Sequence, residues 1–119
     1  MFYKIIRALK ESELVLDLQI LELIEEETVN ILKVKATLVD GSLLYITEVH
    51  TLEWQKYSYH WQDKDGTLRL RWDNSPHWPE IETHPHHLHK ADKILPSPRV
   101  FIESVLTEIE KELRRIGSL

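Results

Sequence analysis

An Asp40-Gly41 pair separates two runs of alternating apolar and polar residues, and this pattern limits the possible folds of the chain more than any other feature. Alternation with a period of two is typical of a strand with one buried and one solvated face. Asp-Gly between two such runs favours a tight hairpin turn, because both central residues need a positive φ. Residues 32–38 and 43–50 are therefore predicted to form an antiparallel hairpin.

Three further segments carry strand patterns around this hairpin. Residues 14–20 alternate, residues 54–61 are rich in aromatic side chains, and residues 68–72 alternate after a second turn signal, Asp65-Gly66. Together these segments predict an antiparallel β-meander of four to five strands over residues 14–73. The alternation slips at residues 21–23, where a bulge and a helix are competing interpretations.

Apolar residues at helical spacing predict one helix at each end of the chain. The first covers residues 1–12, and the second covers residues 99–116, with Ser97-Pro98 as its cap and first-turn pair. A chain of 119 residues fits one domain, residues 1–119. We therefore expect an α+β fold in which the N- and C-terminal helices pack on one face of the meander.

Residues 74–98 form a segment of unusual composition. All five prolines and five of the seven histidines lie there. Because proline cannot continue a sheet ladder or a helix interior, the segment is predicted to be a long Pro/His-rich arm. Loops of this length in small domains are usually either functional or disordered, and we expect the arm to return over the end or the open face of the sheet.

The composition excludes several classes of chemistry. There is no cysteine, which excludes disulfides, thiolate zinc sites and a cysteine nucleophile. No apolar run approaches the ~20 residues of a membrane-spanning helix, and the start of the chain lacks a signal-peptide pattern. We expect a cytoplasmic protein without a membrane partner. The formal net charge is −5, but acidic and basic residues balance over residues 54–90, so a polyanion can approach this segment.

Side chains suited to acid–base chemistry concentrate between Tyr57 and His89. In a strand His60 lies on the face opposite Tyr57 and Tyr59, and closure of the Asp65-Gly66 hairpin brings His60 or Tyr59 near Arg71. A histidine pair could deprotonate a 2′-hydroxyl and protonate the leaving oxygen of RNA, while an arginine stabilises the phosphorane. The candidates for catalysis are His60, Arg71, Asp73, His77 and His86, and those for substrate binding are Tyr57, Tyr59, Trp61, Asn74 and His87.

Other interpretations of the same residues remain open. One is a metal site built from Asp73, His77, His86, His87 and His89, whose spacing matches no established motif. Another is a non-catalytic interaction module in which the Pro/His/Trp-rich arm binds a protein partner. Aromatic residues at strand spacing, here Trp61 and Trp72, belong to the core more often than they stack on bases, and any single histidine is more often a surface or hydrogen-bonded residue than a catalyst.

The same segment resembles the TumE family of toxins from prokaryotic toxin–antitoxin pairs. The resemblance covers about 35 residues: Tyr57-Ser58-Tyr59-His60-Trp61-Gln62-Asp63, Arg71-Trp72-Asp73-Asn74-Ser75-Pro76-His77, and Pro85-His86-His87 followed by His89. The sequence departs from the family pattern at Ser75, where alanine is usual, and at Trp78, where histidine is usual.

The resemblance implies a small intracellular toxin that is neutralised by a helix-turn-helix antitoxin. Many toxins of this size cut RNA, which by analogy favours RNA as the substrate. Joined to the acid–base interpretation, it leads us to expect a metal-independent ribonuclease that needs no cofactor. The sequence leaves the oligomeric state open, with a homodimer as one option.

Overall fold

The computed structural model describes residues 2–119, which form two α-helices and seven β-strands. In chain order these are α1 Tyr3–Glu11, β1 Val15–Glu25, β2 Val29–Leu38, β3 Leu43–Thr51, β4 Gln55–Gln62, β5 Leu68–Asp73, β6 His87–Lys90, β7 Lys93–Pro96 and α2 Ile102–Arg115. The strands form one open antiparallel sheet in which each pairs with the next along the chain. The predicted α+β meander is therefore confirmed.

The number of strands is a correction, because the prediction had four to five and the structure has seven. The two additional strands, β6 and β7, lie inside the predicted arm of residues 74–98 and have four residues each. Runs this short, bounded by Pro85 and ending at Pro96, carry too little alternation to be recognised as strands. The start of α2 also differs, since the helix begins at Ile102 and not at residue 99.

The hairpin between β2 and β3 forms where the Asp40-Gly41 signal placed it. Thr37 pairs with Leu43, so the loop is longer than the two-residue turn that was predicted, and only Gly41 has a positive φ, of 86°. Asp40 stabilises the loop because its carboxylate accepts hydrogen bonds from both the N–H and the hydroxyl of Ser42. A side-chain acceptor two residues before its donor is a common way to close such turns.

Strand β1 resolves the ambiguity at residues 21–23 in favour of a bulge. Its register against β2 shifts twice, between Val15 and Asp17 and between Ile20 and Glu22. Each shift leaves one extra residue in β1, Leu16 and Leu21, and the chain continues as a strand through Glu25. The helix considered for residues 21–23 is therefore wrong.

The hydrophobic core lies on one face of the sheet. Leu9 of α1 belongs to the same buried cluster as the strand residues, and so do Ile102, Val105, Ile109 and Leu113 of α2. The strands contribute their alternate residues, including Leu32, Val34, Ala36, Leu44, Ile46, Tyr57, Tyr59, Trp61 and Trp72. The opposite face carries the intervening, mostly polar residues, and we call it the open face.

Candidate active site on the open face

The polar residues of β4, β5 and β6 form a row across the open face. His60 pairs with Arg71, and Arg71 pairs with His89. Their chain neighbours Tyr59 and Trp72 point to the core, so the period of two directs the three polar side chains outwards. Ser58, Asp73 and His87 form a second row beside the first. The predicted approach of His60 to Arg71 is thus what the structure shows.

Arg71 connects the two rows. Its Nη1 lies 3.1 Å from Nδ1 of His60, and its Nε lies 3.0 Å from Oδ2 of Asp73. A guanidinium only donates, so Nδ1 of His60 accepts and carries the lone pair. The other ring nitrogen, Nε2, then donates to Oε1 of Gln62 over 3.0 Å. His60 is therefore held as a neutral imidazole whose basic nitrogen faces Arg71.

Asp73 holds two histidines of β6. Its Oδ1 is 3.1 Å from Nε2 of His87 and its Oδ2 is 3.2 Å from Nε2 of His89, while the two Nε2 atoms are 3.0 Å apart. The N–H of Ser75 donates to Oδ1 of Asp73, and Nδ1 of His87 donates to the carbonyl of Pro85, both over 2.9 Å. Three protonatable groups therefore converge, and at least one proton lies between them.

Trp78 covers this histidine pair. Its ring makes edge-to-face contacts with His87 and with His89, each with a centroid separation of 6.4 Å. His87 is buried, whereas 23% of the His89 side chain remains exposed. Trp78 therefore limits the access of water to His87 and leaves His89 as the member of the pair that faces solvent.

The charges of the cluster follow from its contacts. Burial tends to raise the pKa of Asp73, but the Ser75 N–H, Arg71 and His87 outweigh it and hold the pKa below its usual value. Asp73 is therefore a carboxylate at neutral pH. The pKa of His60 is lowered chiefly by burial, with Arg71 adding to the effect and the Gln62 hydrogen bond opposing it. The pKa of His89 is also lowered, mainly by burial, although Asp73 opposes this shift.

Two predicted catalytic histidines lie away from the cluster. His77 is exposed and, within residues 2–119, makes no side-chain hydrogen bond or ion pair. His86 stacks on Tyr57 with a centroid separation of 5.8 Å, and its Nδ1 lies 2.9 Å from the Tyr57 hydroxyl. Since Tyr57 belongs to the core face, the structure does not bring His86 or His77 together with His60.

Most of the residues predicted to bind the substrate lie outside the cluster. Tyr57, Tyr59 and Trp61 are at most 2% exposed, and a buried ring offers no face to a base, so their place in the core is a correction. Asn74 joins β4 to the end of β5, because its side chain accepts from the Tyr57 N–H and donates to the Gln55 carbonyl. Of the predicted substrate-binding residues, only His87 belongs to the open-face cluster.

Two features of the open face were not recognised from the sequence. Tyr45 pairs with His60, and the centroids of their rings are 6.4 Å apart, so Tyr45 is a half-buried aromatic residue beside the cluster. His89 had been considered only as a metal ligand. The signal for Tyr45 and for His89 was the alternation of side chains along a strand. For His89, this alternation places His87 and His89 on one face once residues 87–90 are recognised as a strand.

A second charged cluster lies on the core face, where it anchors the chain before α2. The buried carboxylate of Glu48 accepts from Tyr59, from Arg99 over 2.9 Å, and contacts Nε2 of His50 at 2.8 Å. The Arg99 guanidinium also lies over the Tyr57 ring, 4.0 Å from its centroid. Because every one of these groups has a partner within the protein, we interpret the cluster as structural.

The ligand atoms of Asp73, His87 and His89 also satisfy the geometry of a cation site. One atom from each residue lies within 4.8 Å of the other two. Two imidazoles and a carboxylate suit zinc, manganese or iron. His77 and His86, which the metal hypothesis had included, are not part of this group. The Arg71 cation beside Asp73 opposes the binding of a metal ion.

The fold and the cluster define a small α+β protein whose sheet presents histidine, arginine and aspartate side chains on one open face. Comparison with known families gives a match over residues 4–116 to the family described as Toxin TumE. The match extends over nearly the whole chain, and the chain belongs to the TumE toxin family. Searches of curated proteins and of solved structures found no match. Neither helix within residues 2–119 is long and apolar enough to cross a membrane.

Proposed function

We propose that this toxin is an endoribonuclease that cleaves single-stranded or loop RNA on the open face of its sheet, by histidine acid–base chemistry that requires no metal. The observation that carries the proposal is the row of His60, Arg71 and His89 across three adjacent strands. A base, a phosphate-binding cation and an acid are the three groups that cleavage by a 2′-hydroxyl needs.

His60 is the general base in this scheme. Its Nδ1 lone pair accepts the proton of the 2′-hydroxyl as the 2′-oxygen attacks phosphorus. Arg71, which donates to Nδ1 in the free protein, moves to the phosphate oxygens when RNA binds. Its planar guanidinium suits a phosphate and stabilises the charge of the phosphorane. The bond from phosphorus to the 5′-oxygen then breaks.

The general acid comes from the His87–His89 pair. The leaving 5′-oxygen takes the proton that the pair holds, and His89 is the partner exposed to the substrate. Asp73 keeps the pair oriented, and its charge opposes the lowering of the His89 pKa that burial causes. The products are a 5′-hydroxyl and a 2′,3′-cyclic phosphate. The proton gained by His60 returns to solvent, and the His87–His89 pair takes up a proton from solvent.

Side chains around the cluster offer contacts to the rest of an RNA strand. Lys35 and Tyr45 lie in the same row as His60, and Lys33 lies in the row of Asp73. The lysines can contact phosphates, and the ring of Tyr45 can stack on a base that is not paired. These contacts favour unpaired RNA, since a base inside a duplex has no free face.

The test compares histidine variants for RNA cleavage and for toxicity. His60→Gln and His89→Gln should lower the cleavage rate by roughly 10²–10⁴-fold, the usual range for loss of a general acid or base. His84→Gln is the matched control, because His84 is exposed and lies outside the cluster. Induced expression of the wild-type protein and of the control should arrest growth, and both cluster variants should relieve the arrest at equal soluble levels. Equal toxicity of all four proteins would refute the proposal.

A metal-assisted nuclease is the second candidate, and the converging atoms of Asp73, His87 and His89 favour it. In that case an activated water would attack the phosphate and leave a 5′-phosphate. Metal analysis of protein purified without an affinity tag separates the two. The acid–base mechanism predicts less than one tightly bound ion per chain and full activity in chelator, whereas a stoichiometric ion lost in His87→Ala would favour the metal.

The partner that we propose is a helix-turn-helix antitoxin, in line with the membership of the chain in a toxin family. A short open reading frame with a helix-turn-helix pattern should lie beside the toxin gene. Its co-expression should prevent growth arrest and yield a complex that co-purifies. An isolated toxin gene, or a neighbour that does not prevent the arrest, would contradict this part of the proposal.

A further inference from the structure

The outer edge of the sheet at β1 displays an apolar surface that no other part of residues 2–119 covers. β1 has eleven residues and pairs only with β2. Among the described residues, four of the ten exposed large hydrophobic side chains lie on this strand, namely Leu16, Ile20, Leu21 and Leu23, which are 44–68% exposed. A concentration of exposed apolar side chains on one element marks an interaction surface more often than scattered ones do.

The two most exposed of these residues owe their position to the bulges. Leu16 and Leu21 are the extra residues at the two register shifts of β1. A bulge re-aims a side chain and interrupts the ladder, so it also discourages the addition of a further strand. The edge therefore presents two separate apolar anchors, five positions apart, and not a continuous template for strand pairing.

The charge of this edge is one-sided. Between Glu13 and Glu27 the sequence has six acidic side chains and no basic one. The exposed acidic residue closest to both anchors along the chain is Asp17, which lies between them. A second copy of the chain would bring two such acidic edges together, and like charges across an interface are costly. A partner with basic residues around an apolar face is the complementary occupant.

We propose that the β1 edge is the docking surface for an amphipathic segment of the antitoxin with apolar and basic residues. Leu16 and Leu21 insert into the apolar face of that segment, and Asp17 pairs with its lysine or arginine side chains. The inference rests on the proposed pairing with an antitoxin. It does not depend on the ribonuclease mechanism, since β1 is three strands away from β4 in the sheet.

Docking at β1 separates recognition from inhibition. The antitoxin would be anchored at an edge that takes no part in RNA cleavage, and another part of it would cover the open face. Variants of the edge should therefore lose neutralisation and keep toxicity, whereas variants of the cluster should lose toxicity and keep binding. This opposite behaviour distinguishes the docking surface from the proposed active site.

The experiment uses the full toxin and the protein encoded beside it. Leu16→Asp, Leu21→Asp and Asp17→Lys should each weaken the complex by about tenfold or more, measured by calorimetry on a non-toxic His60→Gln background. The same changes on the toxic background should restore growth arrest in the presence of the antitoxin. Because all three side chains are exposed, thermal unfolding should be nearly unchanged, which excludes misfolding as the cause.

Glu82→Lys is the matched control, because Glu82 is exposed and lies outside β1. The control should bind the antitoxin as the wild type does. Unchanged affinity in all three edge variants would overturn the proposal, and so would a toxin homodimer that the Leu21→Asp change dissociates. If the neighbouring protein does not bind the wild-type toxin, the pairing itself fails, and this outcome is separate from a failure of the β1 surface.

Discussion

Strands β2 and β3 and strands β4 to β6 share the same alternation but use their open faces differently. Within residues 2–119, the side chains of Lys33 and Lys35 on β2 make no hydrogen bond or ion pair. On β4 to β6 a chain of contacts runs from His60 through Arg71 to Asp73 and the histidine pair. One region has a solvated face, and the other has a connected network.

The difference shows what a network of hydrogen bonds and ion pairs provides to a binding surface. Hydrogen-bonded and ion-paired groups are held in fixed rotamers, so a substrate does not have to order them. The unconnected lysines are not held by such contacts and supply only charge. We therefore expect substitutions in the network to change chemistry, and substitutions beneath the first region to change stability.

The largest effect should come from His60. Replacing it with glutamine removes the proposed base, and the cleavage rate should fall by roughly 10²–10⁴-fold, while the free energy of unfolding changes by less than about 1 kcal/mol. Lys35→Gln, in the same row on β2, is the counterpart and should reduce the rate only modestly. Single-turnover cleavage and urea unfolding measure the two quantities. Similar rates for the two variants would remove the contrast between the regions.

The next largest effect concerns the core beneath β3. Leu44→Ala should lower the free energy of unfolding by about 2–5 kcal/mol, because Leu44 is fully buried and its removal leaves a cavity. Leu43→Ala changes the preceding residue, which is only partly buried, and should cost clearly less. Denaturant unfolding of both variants measures the difference. Equal losses of unfolding free energy would contradict the difference in burial between Leu44 and Leu43.

A smaller effect is expected at the hairpin turn. Gly41→Ala should cost about 1–2 kcal/mol because Gly41 has a φ of 86°, in the left-handed region that disfavours a Cβ. Ala91, in the turn between β6 and β7, has a φ of 53°, so Ala91→Gly should have the opposite sign and stabilise slightly. Thermal unfolding of the two variants measures both changes in stability. A stabilising Gly41→Ala change would contradict the turn geometry.

These comparisons show which parts of the structure the sequence could predict. The period of two and the Asp40-Gly41 signal were sufficient for β2, β3 and their hairpin. They also placed either His60 or Tyr59 near Arg71, since these residues lie in one hairpin, but the register that selects His60 came from the structure. The contact of Asp73 with His87 joins residues separated by a proline-rich segment, and no local pattern reports such a contact.

The histidines illustrate the same limit. His77, His86 and His87 lie close together in the sequence, yet they are placed at an exposed loop, against the core residue Tyr57, and beside Asp73. Residue type and clustering identified the segment correctly. Assigning a role to each histidine required knowing that β5 pairs with β6. The four residues of β6, which lie between prolines in the sequence, did not reveal this pairing.

The smallest expected effect is on the pH profile of cleavage. Burial lowers the pKa of His60, with Arg71 adding to the shift, so His60 should remain a neutral base below the usual histidine value of ~6.5. The acidic limb of the rate profile should therefore have its midpoint below that value, and activity should be lost only as the pH falls through the lowered pKa. Rates measured from pH 4.5 to 8 test the direction, and a midpoint clearly above 6.5 would exclude His60 as the buried base.

We propose that RNA is cleaved by its own 2′-hydroxyl on the open face. The most direct measurement is mass spectrometry of the products from a short RNA and from the same strand with one 2′-deoxyribose at the cleavage site. We predict a 2′,3′-cyclic phosphate and a 5′-hydroxyl from the RNA, and no cut at the modified position. Cleavage of the deoxy strand, or a 5′-phosphate product, would contradict the account.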